Sequence, residues 1–356
     1  MTTTTTRPPR TEEALPSVYR PLPSWVLPVL GVAAALLAVG LRALLGSGPV
    51  LTVVFAVVLF TILVNVVSRL VEGQRRAADR TVTAVVSAMF AAAMVPLLSL
   101  VYTVVTRGSA RFDLDFFTLT MRNVIGEGGG AQHAILGTLI ITGLAAMISV
   151  PIGMLTAIYL VEYGRGKLAR SVTFLVDVMT GIPSIVAGLF AYALFVLFFG
   201  PGVRFGIGGA VALSVLMVPV VVRAVEEMLK LVPAELREAS YALGVPKWRT
   251  ILKVVLPAAA AGIATGITLA VARVIGETAP LLLIVGTTTS LNLDPFNGRM
   301  ATLPVFTFYS FFTPGANPGP NLDRAWTAAL VLMLIVLGLN LVARVIAKAF
   351  APKGGR

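Results

Sequence analysis

Cysteine is absent from all 356 residues, and histidine occurs once, at His133. Without cysteine there can be no disulfide framework, thiolate zinc site, iron–sulfur cluster or cysteine nucleophile. A lone imidazole likewise removes any multi-histidine metal centre. Charge is scarce too: Asp, Glu, Lys and Arg make up 12% of the chain against 57% hydrophobic residues, with a mean hydropathy of +0.92. That balance lies far from soluble globular domains and describes an integral membrane protein. A Gly-x-Ser-x-Gly nucleophile elbow is also missing, which together with the single histidine excludes the usual intramembrane hydrolase constellations.

What the chain does have is long apolar runs. A helix needs about 20 apolar residues to cross about 30 Å of hydrocarbon. Eight runs qualify as candidates: Trp25–Leu45, Val50–Leu70, Val82–Val105, Ala134–Val161, Val172–Phe199, Gly208–Val222, Val254–Val285 and Trp326–Phe350. The sixth is short, and the fourth, fifth and seventh are long enough to tilt. Apolar character all around each run predicts an all-α polytopic fold, whereas a β-barrel would alternate in pieces of about ten residues. The formal net charge of +12 comes from Lys and Arg in the loops, so it reads as topology and attraction to anionic membrane lipid, with no nucleic acid implied. With a cytoplasmic N-terminus, twenty Lys and Arg fall inside, seven fall outside, and Arg273 alone lies within an apolar run. This asymmetry puts both termini in the cytoplasm.

The domain reading follows. Residues 1–24 form a flexible cytoplasmic tail without a secretory signal, and 25–71 form an additional hairpin with lipid-facing packing as its simplest role. Residues 82–350 form a six-helix transmembrane domain, and 351–356 a second cytoplasmic tail. The two long outside loops, Thr106–His133 and Gly286–Ala325, face a partner or are solvated.

Arg273 and Glu277 are the most unusual residues in an apolar run. A charge near the bilayer centre costs about 2.5 to 3.5 kcal/mol, so membrane segments rarely keep one without a use. On one continuous helix the two would lie about 400° and about 6 Å apart, sharing a face. Two readings stand: a structural ion pair against a partner subunit, or a path for an anion. Arg offers a planar fork of donors suited to an oxyanion, and Glu can hold that fork in place when no anion is present. Thr278 adds a hydroxyl that can line such a path or bond to its own helix. Gly181, Pro183 and Pro280 mark bend points inside the fifth and seventh runs, as gates or as static kinks.

The loop 223–253, between the sixth and seventh runs, is charged and amphipathic. Pro233 suits the first turn of a helix running to about Leu243, Gly244 suits the left-handed position that ends it, and Pro246 can start another at once. A helix-turn-helix elbow is expected, with Leu236, Ser240 and Leu243 near one face and Glu235 and Glu238 elsewhere around it.

Here the residues are similar to a known family. Glu238, Ala239 and Ser240, then Gly244, Ile251, Leu256 and Pro257, resemble the Glu-Ala-Ala signature of ABC importer permeases, with Ser240 in place of the common Ala. The run Arg273, Gly276, Glu277, Thr278, Ala279 and Pro280 resembles a segment of the phosphate importer permeases, particularly the PstA type. So do the stretches around Gly181 and Pro183, Gly137 and Thr138, and Arg324 and Trp326. The resemblance covers about Ala131 to the C-terminus and leaves out the hairpin.

It implies a type I ABC importer permease in the bacterial inner membrane, with Glu235, Glu238, Ala239, Ser240 and Gly244 in the element that contacts a cytoplasmic ATPase dimer. A homologous second permease subunit and an extracytoplasmic phosphate-binding protein are the other implied partners, and phosphate the implied cargo. The Walker A pattern is missing, since Gly164, Arg165, Gly166 and Lys167 lack its spacing and hydroxyl. The chain is thus expected to bind no cofactor, ATP and Mg being held by the ATPase, and to be no enzyme by itself. A permease for sulfate or molybdate, or an autonomous secondary transporter or channel, are the alternatives.

Overall fold

The computed structural model describes residues 22–46, 48–315 and 318–350. The tail assigned to 351–356, and all but the last residues of the tail 1–24, lie outside them. Among the described residues there are α-, π- and 3-10 helices and no strand. Seven helices among the described residues are long and apolar enough to span a membrane, or eight if a sharply bent pair counts as one span.

The chain divides into two compact units with their boundary between Val101 and Tyr102. The first holds α1 (Val26–Leu45), α2 (Pro49–Val71) and most of α3 (Gln74–Gly108). Helices α1 and α2 pack together as a hairpin. Gly46 ends α1 in the left-handed conformation at φ 64°, and Pro49 occupies the first turn of α2, where its missing N–H is not needed. Ala34 and Ala38 are the residues α1 buries, small side chains that let α2 approach.

Polar contacts tie α2 to α3 within this unit. Asn65 of α2 donates to Thr81 of α3 at 2.6 Å. At the turn between them Glu72, only 3% exposed, accepts from Arg80 at 2.5 and 2.8 Å, from the Ser68 hydroxyl at 2.7 Å and from the Leu22 N–H at 2.7 Å. The Arg80 hydrogen bond is the main cause that lowers the Glu72 pKa to about 2, against 4.5 for an ordinary glutamate.

The second unit is built around α8 (Gly206–Lys230), whose Leu213, Met217, Val221, Val225 and Leu229 form a fully buried stripe at a four-residue period. This helix runs well beyond the expected Gly208–Val222, so Arg223 to Lys230 extend the span and do not belong to a loop. Two neighbours approach α8 through glycines. In α5 (Gln132–Ile158), a Cβ at Gly153 would come within 2.6 Å of Val221. In α11 (Leu256–Val274), one at Gly266 would come within 2.7 Å of the Ala224 Cβ, and one at Gly262 would overlap the Met228 sulfur. The last span is α14 (Pro318–Phe350).

Two expected spans are interrupted. The run Val172–Phe199 is two helices, α6 (Gly166–Thr180) and α7 (Ser184–Phe199), bent by 108° at the break. The run Val254–Val285 stops at Val274 and resumes as α12 (Ala279–Ile284). In a continuous helix the ring of Pro183 would meet the Met179 carbonyl and that of Pro280 the Gly276 carbonyl. Both prolines stand at breaks instead, Pro183 as the cap before α7 and Pro280 in the first turn of α12.

The two long loops are packed, not merely solvated. Asp113 caps α4 (Leu114–Thr118), accepting from the Phe116 N–H at 2.8 Å, and this bond leads the causes that lower its pKa. Met121 donates to the Thr289 carbonyl at 3.1 Å, joining one loop to the other. Arg324, 1% exposed, donates to the carbonyls of Gly126 and Gly128. The second loop contains α13 (Leu303–Phe312), seated on α5 where the Thr138 hydroxyl accepts the Leu303 N–H at 2.7 Å. A Cβ at neighbouring Gly137 would overlap the Ala301 carbonyl, which accounts for glycine there.

Two predictions follow from this packing. Gly137→Ala forces overpacking against backbone and should destabilise the detergent-solubilised protein by about 1 to 3 kcal/mol, while Gly143→Ala, with open space around it, should be neutral by thermal unfolding. Because folding lowers the Glu72 pKa, the stabilisation it brings is complete above 4.5 and disappears as pH falls through about 2. Melting temperatures of the native protein and Glu72→Gln should therefore differ at neutral pH and converge towards pH 2.

Candidate functional site

The two helix breaks meet. Gly188 of α7 packs so closely on Pro280 of α12 that a Cβ would lie 2.5 Å from the proline Cα. A cavity of about 220 Å³ opens beside this contact. It is lined by Thr180, Ile182 and Ser184 from the first break, by Pro219 from within α8, and by Arg273 and Glu277 from the second. Ser184 opens α7, so the positive end of that helix's dipole faces the cavity and favours an anion there.

Arg273 stands in the last turn of α11, and the helix ends before Glu277. Glu277 therefore leaves the helical spiral, and the shared helical face expected for the pair does not exist. Among the described residues no hydrogen bond or ion pair joins them, so Glu277 does not hold the guanidinium fork; both line one cavity, with Arg273 exposed and Glu277 half-buried. Thr278 parts company with them. It lines a separate groove of about 400 Å³ with Pro304, Thr307 and residues of α14. Gly181 ends α6 at the cavity's edge.

The elbow forms as its local sequence dictates. Pro233 precedes α9 (Ala234–Ala242), Gly244 takes φ 75°, and Pro246 precedes α10 (Lys247–Thr250), which a π-helical turn Ile251–Val255 carries into α11. Glu235, Glu238, Ala239 and Gly244 are exposed. Ser240 is not on the face of Leu236 and Leu243: it turns inward, 7% exposed, with its hydroxyl 2.8 Å from that of buried Thr250, while Leu243 is 83% exposed. Leu231, Leu236, Tyr241, Leu243 and Trp248 leave an exposed apolar surface around the two acidic residues.

The remaining contacts of this end were hidden in the sequence. Arg237 grips Glu162, from the π-helical turn Tyr159–Tyr163 that follows α5, with N–O distances of 2.9 and 3.0 Å. Asp177 pairs with Arg223, which also reaches Glu226 at 2.7 Å. Glu162 lies 75 residues from Arg237 and Asp177 lies 46 from Arg223, separations that no local pattern reports.

Broken helices lining a polar cavity, and an exposed elbow joining two spans, define a multi-pass membrane transport component. Residues 149–354 match the family described as binding-protein-dependent transport system inner membrane component. The chain belongs to that family. It is 47% identical over 285 residues to "Phosphate transport system permease protein PstA 1" of Mycobacterium tuberculosis (strain CDC 1551 / Oshkosh), covering 79% of this chain and 92% of the relative. It is 42% identical over 259 residues to "Phosphate transport system permease protein PstA" of Yersinia pestis, covering 72% and 84%. The first match is longer than the stretch from Ala131 to the C-terminus, so the likeness reaches further upstream than the motifs alone indicated. A bacterial alginate ABC transporter, crystallised in complex with its alginate-bound periplasmic protein, shares the fold at a TM-score of 0.56 and 13% identity, over 78% of this chain and 97% of that one.

Because Ser240 bonds inward to Thr250, whose other hydroxyl contact is a long 3.4 Å bond to the Pro246 carbonyl, Ser240→Ala should cost about 1 kcal/mol of stability through the lost buried hydrogen bond, measurable by thermal unfolding.

Proposed function

We propose that the chain is a membrane permease subunit of an ATP-driven importer of inorganic phosphate. The observation that carries this reading is Arg273 at the cavity where two broken helices and α8 meet, in a chain whose relatives are named phosphate transport system permeases. Arg273 keeps its charge and supplies a planar fork of donors, and the N-terminus of α7 adds a second source of positive potential. Glu277, across the same cavity and unbonded to Arg273, disfavours permanent occupation by an anion, as a path requires and a storage site does not.

Coupling belongs to the elbow. Its exposed apolar and acidic residues suit a cleft on a cytoplasmic ATPase dimer, which would hold the ATP and Mg; this subunit contributes no catalytic group. The exposed position of Arg273 suits a translocation path completed by a homologous second permease subunit, and the packed outer loops suit docking of a phosphate-loaded binding protein. ATP-driven closure of the ATPases would press on the elbow and alternate the access of the cavity. The Lys and Arg asymmetry supports cytoplasmic termini and a cytoplasmic elbow.

Removing the Arg273 guanidinium takes away charged hydrogen bonds worth about 1.5 to 3 kcal/mol. Arg273→Gln should therefore cut phosphate uptake by about tenfold or more in proteoliposomes while the subunits still co-purify. Normal uptake by that variant would remove Arg273 from the path. Stimulation of ATPase activity by binding protein loaded with phosphate, but not with sulfate or molybdate, identifies the anion. Uptake by this chain alone without ATP would establish a secondary transporter instead.

A further inference from the structure

We propose that Arg237 and Glu162 form the mechanical joint that carries movement of the elbow into α5 and α8. The proposal deepens the reading above and rests on it. Arg237 directs its whole fork inward. Nε and Nη2 reach Glu162 Oε1 at 3.0 and 2.9 Å, Nη2 also reaches the Leu229 carbonyl at 2.9 Å, and Nη1 reaches the Val232 carbonyl at 2.6 Å. One side chain thus ties α9 to the end of α5, to the end of α8 and to the turn between α8 and α9. Both partners are shielded, the Glu162 side chain 5% exposed and that of Arg237 18%, so water competes weakly for the contact.

Glu162 has a second attachment. Its backbone carbonyl accepts from Lys247 Nζ, which also lies 4.8 Å from the centre of the Tyr163 ring. Arg237 precedes the turn of the elbow and Lys247 follows it, so both arms are fastened to the one short turn that follows α5. A push on α9 cannot then be absorbed by rotation of the elbow about its own hinge at Gly244; it must shift the end of α5.

The π-helical turns give that shift somewhere to go. Tyr159–Tyr163 carries Glu162, and Ile251–Val255 joins the elbow to α11. Wide turns of this kind interrupt the regular hydrogen-bond ladder and recur at functional positions in helices. The geometry is a stiff clamp between two compliant turns. Arg237 and Glu162 act through other residues and are positioning residues, not contacts of the transported anion.

The chain contains no cysteine, so Glu162→Cys with Arg237→Cys introduces its only thiols. In the reconstituted importer, phosphate taken up per ATP hydrolysed should fall by about tenfold, within the range typical of coupling between sites, while ATPase activity persists. Bridging the two thiols with a short bifunctional reagent should restore the ratio, which a merely structural role would not predict. A ratio unchanged before bridging, or still low after it, overturns the joint. Should the cysteine pair fail to assemble, Glu162→Gln with Arg237→Gln removes both charges together, and a normal ratio in that variant would overturn it equally. Absence of ATP-driven uptake in the unaltered complex would bring down the proposed function, and the joint with it.

Discussion

A backbone carbonyl in an apolar medium must find a donor, and Pro183 and Pro280 each remove one from a span. The chain resolves both cases alike. It ends the helix, turns, and starts another, leaving Gly181 to Pro183 and Ile275 to Thr278 as non-helical backbone where a cavity can accept it. Gly188 against Pro280 holds the two breaks together. Most of the candidate path derives from this constraint: the helix end at Val274 that separates Arg273 from Glu277, the helix start that points the α7 dipole at the cavity, and the different destination of Thr278.

The same unit manages force at its elbow. Gly153 and Gly266 let α5 and α11 approach α8 so closely that the three helices share one buried core. Tight packing of this kind resists gradual deformation, so displacement is confined to places where regular helix already fails. Those places are the π-helical turns beside the elbow and the two proline breaks. In the proposed mechanism a push on α9 enters through the first, by way of the Arg237–Glu162 joint and the turn that leads into α11.

Much of the fold was legible because it depends on near neighbours. Pro233, Gly244 and Pro246 place the elbow within a residue or two, since each acts on its own backbone dihedral or its own turn. The apolar runs mark the spans because bilayer thickness sets their length. The break residues were visible too, yet a proline alone does not distinguish a kink from a break: that depends on what receives the freed carbonyl. The partners of Asp177 and Glu162 left no pattern, because a side chain's neighbour across the bundle is set by helix packing and not by spacing along the chain.

The sequence by itself determined that this is a cysteine-free, multi-pass helical membrane protein, with an elbow between two spans and a charged pair in an apolar run. Those properties follow from composition, hydropathy and local conformational preference, which do not require knowing the fold. Only the tertiary structure decided that Arg273 and Glu277 face one cavity without pairing, that Thr278 serves another, that Ser240 points inward, and that Arg237 binds the elbow to α5. Each of these depends on how closely helices distant in sequence approach, and that is fixed by glycine contacts and satisfied polar groups across the whole bundle.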